Sequence, residues 1–238
     1  MTILCIETST QVCSAAVTIG GVPVAERVCR EGANHARQLP VFIEELLQEV
    51  RAKGLKIEAV ALSEGPGSYT GLRIGTSTAK GLCYGLDVPL IPVSTLKLTA
   101  VAAVAQNEPI FAAKHDVPVR LCPMTDARRM EVYTAVYSDD FEEICPVQAK
   151  VVEDGSWLPE GQVYFFGDGA GKCREVLQAG GQKNANSPLF IGDIVPEAKY
   201  MGVLAEQEKQ ISGAEIAYYE PFYLKEFVAA PSHVKGLK

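Results

Sequence analysis

Histidine and basic residues are scarce in this chain. Its 238 residues include three histidines, and 22 lysines and arginines stand against 29 aspartates and glutamates, giving a net charge of −7. An acidic chain repels the phosphates of nucleic acids, so unaided binding of DNA or RNA is not expected. His35, His115 and His233 lie far apart in sequence. Because none belongs to a His-x-x-x-His pair, the sequence predicts no bound metal.

Long apolar runs are missing as well. No stretch approaches the roughly 20 residues needed to cross a bilayer. The first ten residues, MTILCIETST, have no basic segment and include Glu7, so they do not resemble a secretory signal. The seven cysteines are scattered, without a Cys-x-x-Cys pair, which is typical of a reducing compartment. We therefore expect a cytoplasmic protein that makes no membrane contact.

The apolar pattern of the first half predicts a mixed sheet with helices. Two β-branched runs joined through Gly20-Gly21 predict a β-hairpin. Helical spacing extends from about Arg37 to Lys53, with Pro40 in the first turn or at a kink and Gly54 as a stop. A second helix is predicted from about Thr70 to Leu86. The resulting order, β-β-β-α-β-α-β-α, is that of an RNase H-like domain.

The pattern breaks near Gln106 to Pro109, where we place a domain boundary. Residues 1–107 are predicted to form an N-terminal RNase H-like domain, and residues 108–238 a smaller C-terminal α/β domain. Within the second domain, a helix is predicted at about 197–211, where it is able to pack back on the first domain. Residues 228–238 are predicted to be loose or docked on a partner.

A glycine-rich stretch, SEGPGSYTGLRIG, joins the fourth predicted strand to the first turns of the second predicted helix. It lacks the Gly-Lys-Ser/Thr of a P-loop and does not match the Rossmann pattern. A tight turn followed by a helix cap explains its first part. In the helix, however, each glycine costs roughly 1 kcal/mol relative to alanine. Gly71, Gly75 and Thr78 share one face, which predicts close approach of another helix, from this chain or from a partner.

Four motifs resemble the bacterial TsaB family, also called YeaZ. They are ILCIETST, GPGSYTGLRIG, VSTL and DARRMEVY, which follow one another at the family's spacing from Ile3 to Tyr133. YEPFYLKE near the end is also similar to the family, whereas Met130 replaces a usual glycine. The resemblance implies an α/β protein with an actin-like (ASKHA) fold of two RNase H-like domains with mixed sheets.

The resemblance also implies a function. TsaB proteins are non-catalytic subunits that bind and activate TsaD in the synthesis of tRNA N6-threonylcarbamoyladenosine (t6A), with a TsaE-like ATPase assisting. It implies a heterodimer with a TsaD-like subunit, a homodimer when the chain is alone, and tRNA contact only through the complex. The implied partner and dimerisation face comprises residues of both long helices: Leu39, Phe42, Leu46, Gly71, Leu72, Ile74, Gly75 and Thr78.

Two short segments resemble nucleotide contacts of actin-like ATPases. Thr8 and Ser9 follow the first strand, and Gly167, Asp168 and Gly169 form a glycine turn. Both segments are also explained as turns that need no ligand. We expect no cofactor on this chain alone, although the assembled complex is compatible with ATP or ADP.

The rival hypothesis is a stand-alone ATP-dependent kinase or carbamoyltransferase of the actin-like clan. Such an enzyme needs convergent carboxylates and a pair of metal ligands, and the sequence shows neither. The stretch VSTLKLTAV, which corresponds to a metal-binding segment of TsaD, contains no histidine. Asp126, Arg128 and Glu131 are interpreted as a salt-bridged turn. The sequence therefore favours a non-catalytic subunit.

Overall fold

Two five-stranded sheets form the centre of the protein, whose computed structural model describes residues 1–32, 34–153, 159–181, 188–192 and 194–225. The first sheet has the strand order β3-β2-β1-β4-β5. Its first three strands pair antiparallel, and β4 runs parallel to both β1 and β5. The strands are β1 (Thr2–Glu7), β2 (Cys13–Ile19), β3 (Val22–Cys29), β4 (Ala59–Gly65) and β5 (Leu90–Ser94).

The second sheet repeats this arrangement. Its order is β8-β7-β6-β9-β10, with β6, β7 and β8 antiparallel and β9 parallel to β6 and β10. The repeated order confirms the predicted fold of two RNase H-like halves with mixed sheets. The strands are β6 (Val119–Asp126), β7 (Glu131–Tyr137), β8 (Glu143–Val151), β9 (Gln162–Phe166) and β10 (Leu189–Phe190).

Helices accompany both sheets. α1 and α2 pack on one face of the first sheet, where Leu39, Leu46 and Ala79 join a core cluster with Leu4 and Val60. The described helices are α1 (His35–Ala52), α2 (Tyr69–Leu86), α3 (Thr95–Gln106), α4 (Glu108–Phe111), α5 (Ala170–Gly181), α6 (Gly202–Ala205) and α7 (Ala214–Tyr218).

Helix α3 is buried between the two sheets. Its Leu98 packs with Ile91 of the first sheet, and its Leu96 packs with Leu121 of the second. The predicted boundary between residues 107 and 108 falls at the junction of α3 and α4. The position of that boundary stays a prediction.

As the sequence predicts, glycines form the turn of the first hairpin and end helix α1. Gly20 and Gly21 both have positive φ, which suits the two-residue turn between Ile19 and Val22. At the end of α1, Gly54 has a φ of +67°, and the Leu55 amide donates to the Val50 carbonyl over 3.0 Å. This is a Schellman cap. Pro40 lies inside α1, in its second turn, rather than in the first.

The helix predicted at about 197–211 is shorter than expected. A 3₁₀ turn at 198–200 and the four-residue α6 replace it, and they pack on the first sheet through Ala198 and Leu204. The chain leaves the helical conformation because Ile211 pairs with Leu90 at the edge of β5, through bonds of 2.8 and 2.9 Å. A continuous helix would prevent that pairing. The predicted loose tail, residues 228–238, lies outside the described residues.

Candidate partner interface and the glycine-bearing helix

Helix α2 begins at a serine cap. The Ser68 Oγ atom accepts a hydrogen bond from the Gly71 amide over 3.3 Å, and the Ser68 carbonyl accepts from the Leu72 amide over 2.8 Å. The Ser68 amide donates to the Ser9 carbonyl over 2.7 Å. The cap therefore fixes the start of α2 against the loop between β1 and β2.

Two glycines of α2 allow Thr8 to approach the helix. A Cβ atom on Gly71 would overlap the Thr8 carbonyl oxygen, and one on Gly75 would overlap Thr8 Oγ1. Thr8 Oγ1 donates to the Gly71 carbonyl over 2.8 Å. By contrast, a Cβ on Gly81 or Gly85 would have no neighbour within 4 Å.

The close approach predicted from the glycines is thus made within this chain, and by a loop instead of a helix. Five residues of the predicted partner face are buried within this chain: Leu39, Leu46, Gly71, Leu72 and Gly75. The other three, Phe42, Ile74 and Thr78, are partly exposed.

A shallow groove of about 350 Å³ runs between α1 and α2. The partly buried Leu47 and Leu82 contribute its apolar surface, and Thr78 lies between the helices. Glu44, Gln48 and Arg51 also line the groove and give it polar edges. Leu47 and Leu82 were not predicted as surface residues, because helical spacing alone does not separate the buried side of an apolar stripe from its margin.

A buried carboxylate lies next to the Thr8 loop. Glu7 is fully buried and accepts hydrogen bonds from the Ser9 amide at 2.5 Å, from Ser9 Oγ at 2.6 Å and from Ser63 Oγ. Burial raises the pKa of Glu7 to about 7, although the hydrogen bonds from Ser63 and Ser9 lower it. Thr8 and Ser9 are buried, with both hydroxyls bonded inside the chain. Direct phosphate contact by these two residues would require them to rearrange.

The predicted glycine turn of the second half packs on β6. A Cβ on Gly167 would overlap the Met124 carbonyl, and the Gly169 amide donates to that carbonyl over 2.9 Å. Asp168 Oδ1 accepts from the Asp126 amide at 2.9 Å. Burial raises the pKa of the Asp168 carboxyl. The turn therefore has a structural explanation, and its predicted nucleotide contact stays a prediction.

Two lysines from other segments form ion pairs with acidic residues at the polar turn between β6 and β7. Lys172 Nζ pairs with Asp126, and Lys225 Nζ pairs with Glu131. The ion pair and hydrogen bond from Lys172 lower the pKa of Asp126 despite partial burial. Arg128 has a positive φ of 71°, and its amide donates to Asp126 Oδ1. The acidic residues are thus paired with lysines of other segments, not with the neighbouring arginine.

The histidines of the described chain have intramolecular partners. His35 is buried and its Nε2 lies 2.9 Å from the Thr10 carbonyl, while His115 Nε2 lies 3.1 Å from the Ile110 carbonyl. Among the described residues, no three side chains of His, Cys, Asp or Glu are grouped as metal ligands. In the same part of the chain, no helix combines the length and apolar composition of a membrane span.

Two RNase H-like halves around a buried connecting helix define an actin-like protein. The family model described as "TsaD: tRNA N6-adenosine threonylcarbamoyltransferase" matches residues 14–229. The TsaB protein of Haemophilus influenzae, named a tRNA threonylcarbamoyladenosine biosynthesis protein, is 30% identical, with 94% of each chain covered. The Bacillus subtilis protein of the same name is 28% identical with the same coverage. The chain belongs to the TsaB (YeaZ) family.

A solved structure supports the fold independently. YeaZ from Pseudomonas aeruginosa superposes with a TM-score of 0.71 at 24% sequence identity, over 94% of this chain and 99% of that chain. The similarity therefore covers most of this chain and is not confined to the motifs of the first half.

Proposed function

We propose that this chain is a partner subunit in the synthesis of tRNA threonylcarbamoyladenosine, where it binds and activates a TsaD-like transferase. The observation that carries the proposal is the similarity to TsaB proteins, which covers 94% of this chain and 94% of each relative. The names of those relatives give the pathway. The TsaD-like subunit, a TsaE-like ATPase and tRNA bound through the complex are the partners of the proposed assembly.

The proposed subunit is non-catalytic, and the geometry at the ends of the first two parallel strands supports this. Glu7 is the acidic residue nearest the first predicted phosphate contact, and its carboxylate is already used by Ser9 and Ser63. Thr8 holds α2 instead of facing a cleft. No specific observation favours the stand-alone kinase or carbamoyltransferase.

The proposed partner face is the α1–α2 groove. Leu47, Leu82 and the partly exposed Phe42, Ile74 and Thr78 offer apolar contact, with polar side chains at the edges. An apolar centre with a polar rim is the usual anatomy of protein interfaces. The same surface is proposed to form the homodimer when the chain is alone, and ATP or ADP is proposed to bind only in the assembled complex.

A reconstitution tests the proposal. TsaD and TsaE from the same organism are assayed for t6A formation on tRNA, with this chain, without it, and with its Thr78→Arg variant. We expect product with the wild-type chain, and little or none without the chain or with Thr78→Arg, because a long charged side chain at Thr78 obstructs the groove. Gln178→Arg, on the exposed side of α5, is the matched control and should be active. Equal product formation with and without the chain would contradict the proposed function.

A further inference from the structure

Two cysteines lie directly opposite each other in the first sheet. Cys13, the first residue of β2, pairs with Cys29, the last residue of β3, in antiparallel register. Opposite residues of an antiparallel pair have Cα atoms about 4.5 or 5.5 Å apart, and a disulfide needs about 4.4–6.8 Å. Their side chains also leave the sheet on the same face. The register therefore brings the two thiols close enough for a covalent bond.

The described strand pairings place no other two cysteines opposite each other. All seven cysteines lie in the described residues and are free thiols. Cys122 and Cys145 share the second sheet, but β7 lies between their strands, β6 and β8. Two strand spacings amount to about 9.5 Å, beyond the limit of about 7 Å for a disulfide. Cys145 is half-buried like Cys29 but lies opposite Val136, so it serves as a comparison thiol.

The two opposite thiols differ in exposure. Cys29 lies on an edge strand and is half-buried, whereas Cys13 is 2% exposed and packs with Leu39 and Ile43 of α1. Burial raises the pKa of the Cys13 thiol to about 12, with a smaller contribution from the charge of Cys29. A reagent in solution therefore reacts with Cys29 first. Cys13 needs no access to solvent for a second step, because its reaction partner is its neighbour in the sheet.

The cysteine pair lies at the open end of the β2–β3 hairpin. The Gly20-Gly21 turn joins the same strands at the other end. β3 is an edge strand, so one of its sides has no neighbouring strand to hold it. Cys29 is also the last strand residue before α1 begins at His35. A bond between Cys13 and Cys29 would fix the end of β3 and the chain that leads into α1.

We propose that Cys13 and Cys29 form a redox-sensitive pair, which a low-molecular-weight disulfide such as glutathione disulfide oxidises to an intramolecular bridge that fixes β3 to β2. In reducing compartments such bridges are transient and act in redox sensing. Opposite residues have Cβ atoms about 4.5–5.5 Å apart, more than the roughly 3.5–4.5 Å of a relaxed disulfide. Strain of this kind makes a disulfide easier to reduce, so the bridge is reversible.

The oxidation proceeds by two thiol–disulfide exchanges. The Cys29 sulfur, as a thiolate, attacks one sulfur of glutathione disulfide, forms a mixed disulfide and releases the first glutathione thiolate. The Cys13 sulfur then attacks Cys29 Sγ, which breaks the mixed disulfide, forms the Cys13–Cys29 bond and releases the second glutathione thiolate. The two protons of the cysteine thiols pass to the two glutathione thiolates. The protein loses two electrons, and one glutathione disulfide is reduced to two glutathione thiols.

Peptide mapping of the whole chain after treatment with glutathione disulfide tests the pair. The reaction is carried out on the native protein, and the remaining thiols are blocked before digestion. We expect a cross-linked peptide that contains Cys13 and Cys29 and disappears on reduction with dithiothreitol. Cys145 should keep a glutathione adduct, because no thiol lies opposite it. Cys145→Ser is the matched control and should form the bridge like the wild type.

Single replacements test the order of the two steps. Cys29→Ser should leave Cys13 unmodified, because the buried thiol is not reached from solution. Cys13→Ala should keep a stable glutathione adduct at Cys29, because no second thiol releases it. Circular dichroism checks that both variants are folded, and Cys29→Ser, at the half-buried residue, tests the pair even where Cys13→Ala does not fold.

Hydrogen exchange tests the effect of the bridge on the edge strand. Amides of β3 should exchange more slowly in the oxidised wild type than in the reduced protein, because the bridge prevents the end of the strand from separating. The oxidised Cys29→Ser variant should show no such difference.

Several outcomes would overturn the proposal. One is a wild-type protein in which Cys29 does not react or keeps a stable glutathione adduct, and another is a native protein that bridges other cysteines instead. Unchanged exchange in β3 after the bridge has formed would contradict its fixing of the strand. None of these outcomes depends on the t6A assay, so the cysteine pair and the proposed function fail or succeed separately.

Discussion

At the scale of single residues, the glycines of α2 have unequal roles. Gly71 and Gly75 face Thr8 of the same chain, whereas Gly81 is open to solvent. We expect Gly71→Ala to lower the free energy of unfolding by about 3 kcal/mol, because the added methyl group overlaps a backbone carbonyl that cannot rotate away. Gly75→Ala should cost less, since Thr8 Oγ1 belongs to a side chain.

The matched control lies in the same helix. Gly81→Ala should raise the free energy of unfolding by about 0.5–1 kcal/mol, because alanine has the higher helix propensity and no neighbour obstructs it. Urea denaturation of the three variants measures the differences. Equal effects at residues 71 and 81 would show that Thr8 does not contact the helix as described.

Glu7 predicts a pH dependence of stability. Its pKa of about 7 in the folded protein is above its ordinary value of 4.5. Between these two values the folded protein keeps a proton that the unfolded chain loses, so the free energy of unfolding falls as pH rises. Above about pH 7 the carboxylate is ionised in both states and the loss is complete, on the order of 3 kcal/mol.

Glu7→Gln removes this titration and can still accept hydrogen bonds from Ser9. The stability difference between the variant and the wild type should therefore grow in favour of the variant from pH 4.5 to 7. Urea unfolding at several pH values measures it. Glu175→Gln, at an exposed residue of α5, is the control. A difference that does not change with pH would contradict the raised pKa.

At the scale of elements, local sequence signals predicted more than pairings between distant segments. The Gly20-Gly21 hairpin, the end of α1 at Gly54 and the extent of α2 follow from nearby residues. The Thr8–Gly71 contact joins residues 63 apart, and the glycine spacing gave no sign of which segment approaches. β8 was not predicted because it is an edge strand with mostly exposed, mixed side chains.

The same limit applies to the candidate sites. The sequence predicted a partner face on α1 and α2, but five of the eight predicted residues are buried. The apolar spacing of a helix shows which side of the helix is apolar, but it does not show how deeply each side chain is buried. The cavity between α2 and residues 219–223 was not foreseen. It joins α2 to residues 219–223 through the Lys80 bond to Ala217, across 137 residues. The spacing of residues within one helix does not show which distant segment of the chain packs against it.

The groove between α1 and α2 predicts the oligomeric state of the isolated chain. We expect a homodimer at micromolar concentration and a monomer for Thr78→Arg, because the charged side chain would be desolvated at the interface. Sedimentation equilibrium measures the shift, and circular dichroism checks that the variant is folded. Gln178→Arg should remain dimeric. A Thr78→Arg protein that sediments like the wild type would place the interface elsewhere.

At the scale of the whole molecule, charge predicts how the chain meets RNA. The net charge is −7, from 22 basic and 29 acidic residues. Binding to nucleic acid depends on clustered lysines and arginines that displace counterions, and even basic proteins bind non-specific sites with Kd values of about 10⁻⁴–10⁻⁶ M. Part of the positive charge in the described chain is also paired, as Arg27 is with Glu45 and Glu49.

We therefore expect the isolated chain to bind tRNA more weakly than about 10⁻⁴ M at about 150 mM salt. Fluorescence anisotropy with labelled tRNA, at two salt concentrations, measures the affinity and its salt dependence. The proposed complex with a TsaD-like subunit is the positive control. Micromolar binding with a steep salt dependence would reveal a continuous basic surface on this chain, and tRNA contact would then belong to this subunit and not to its partner alone.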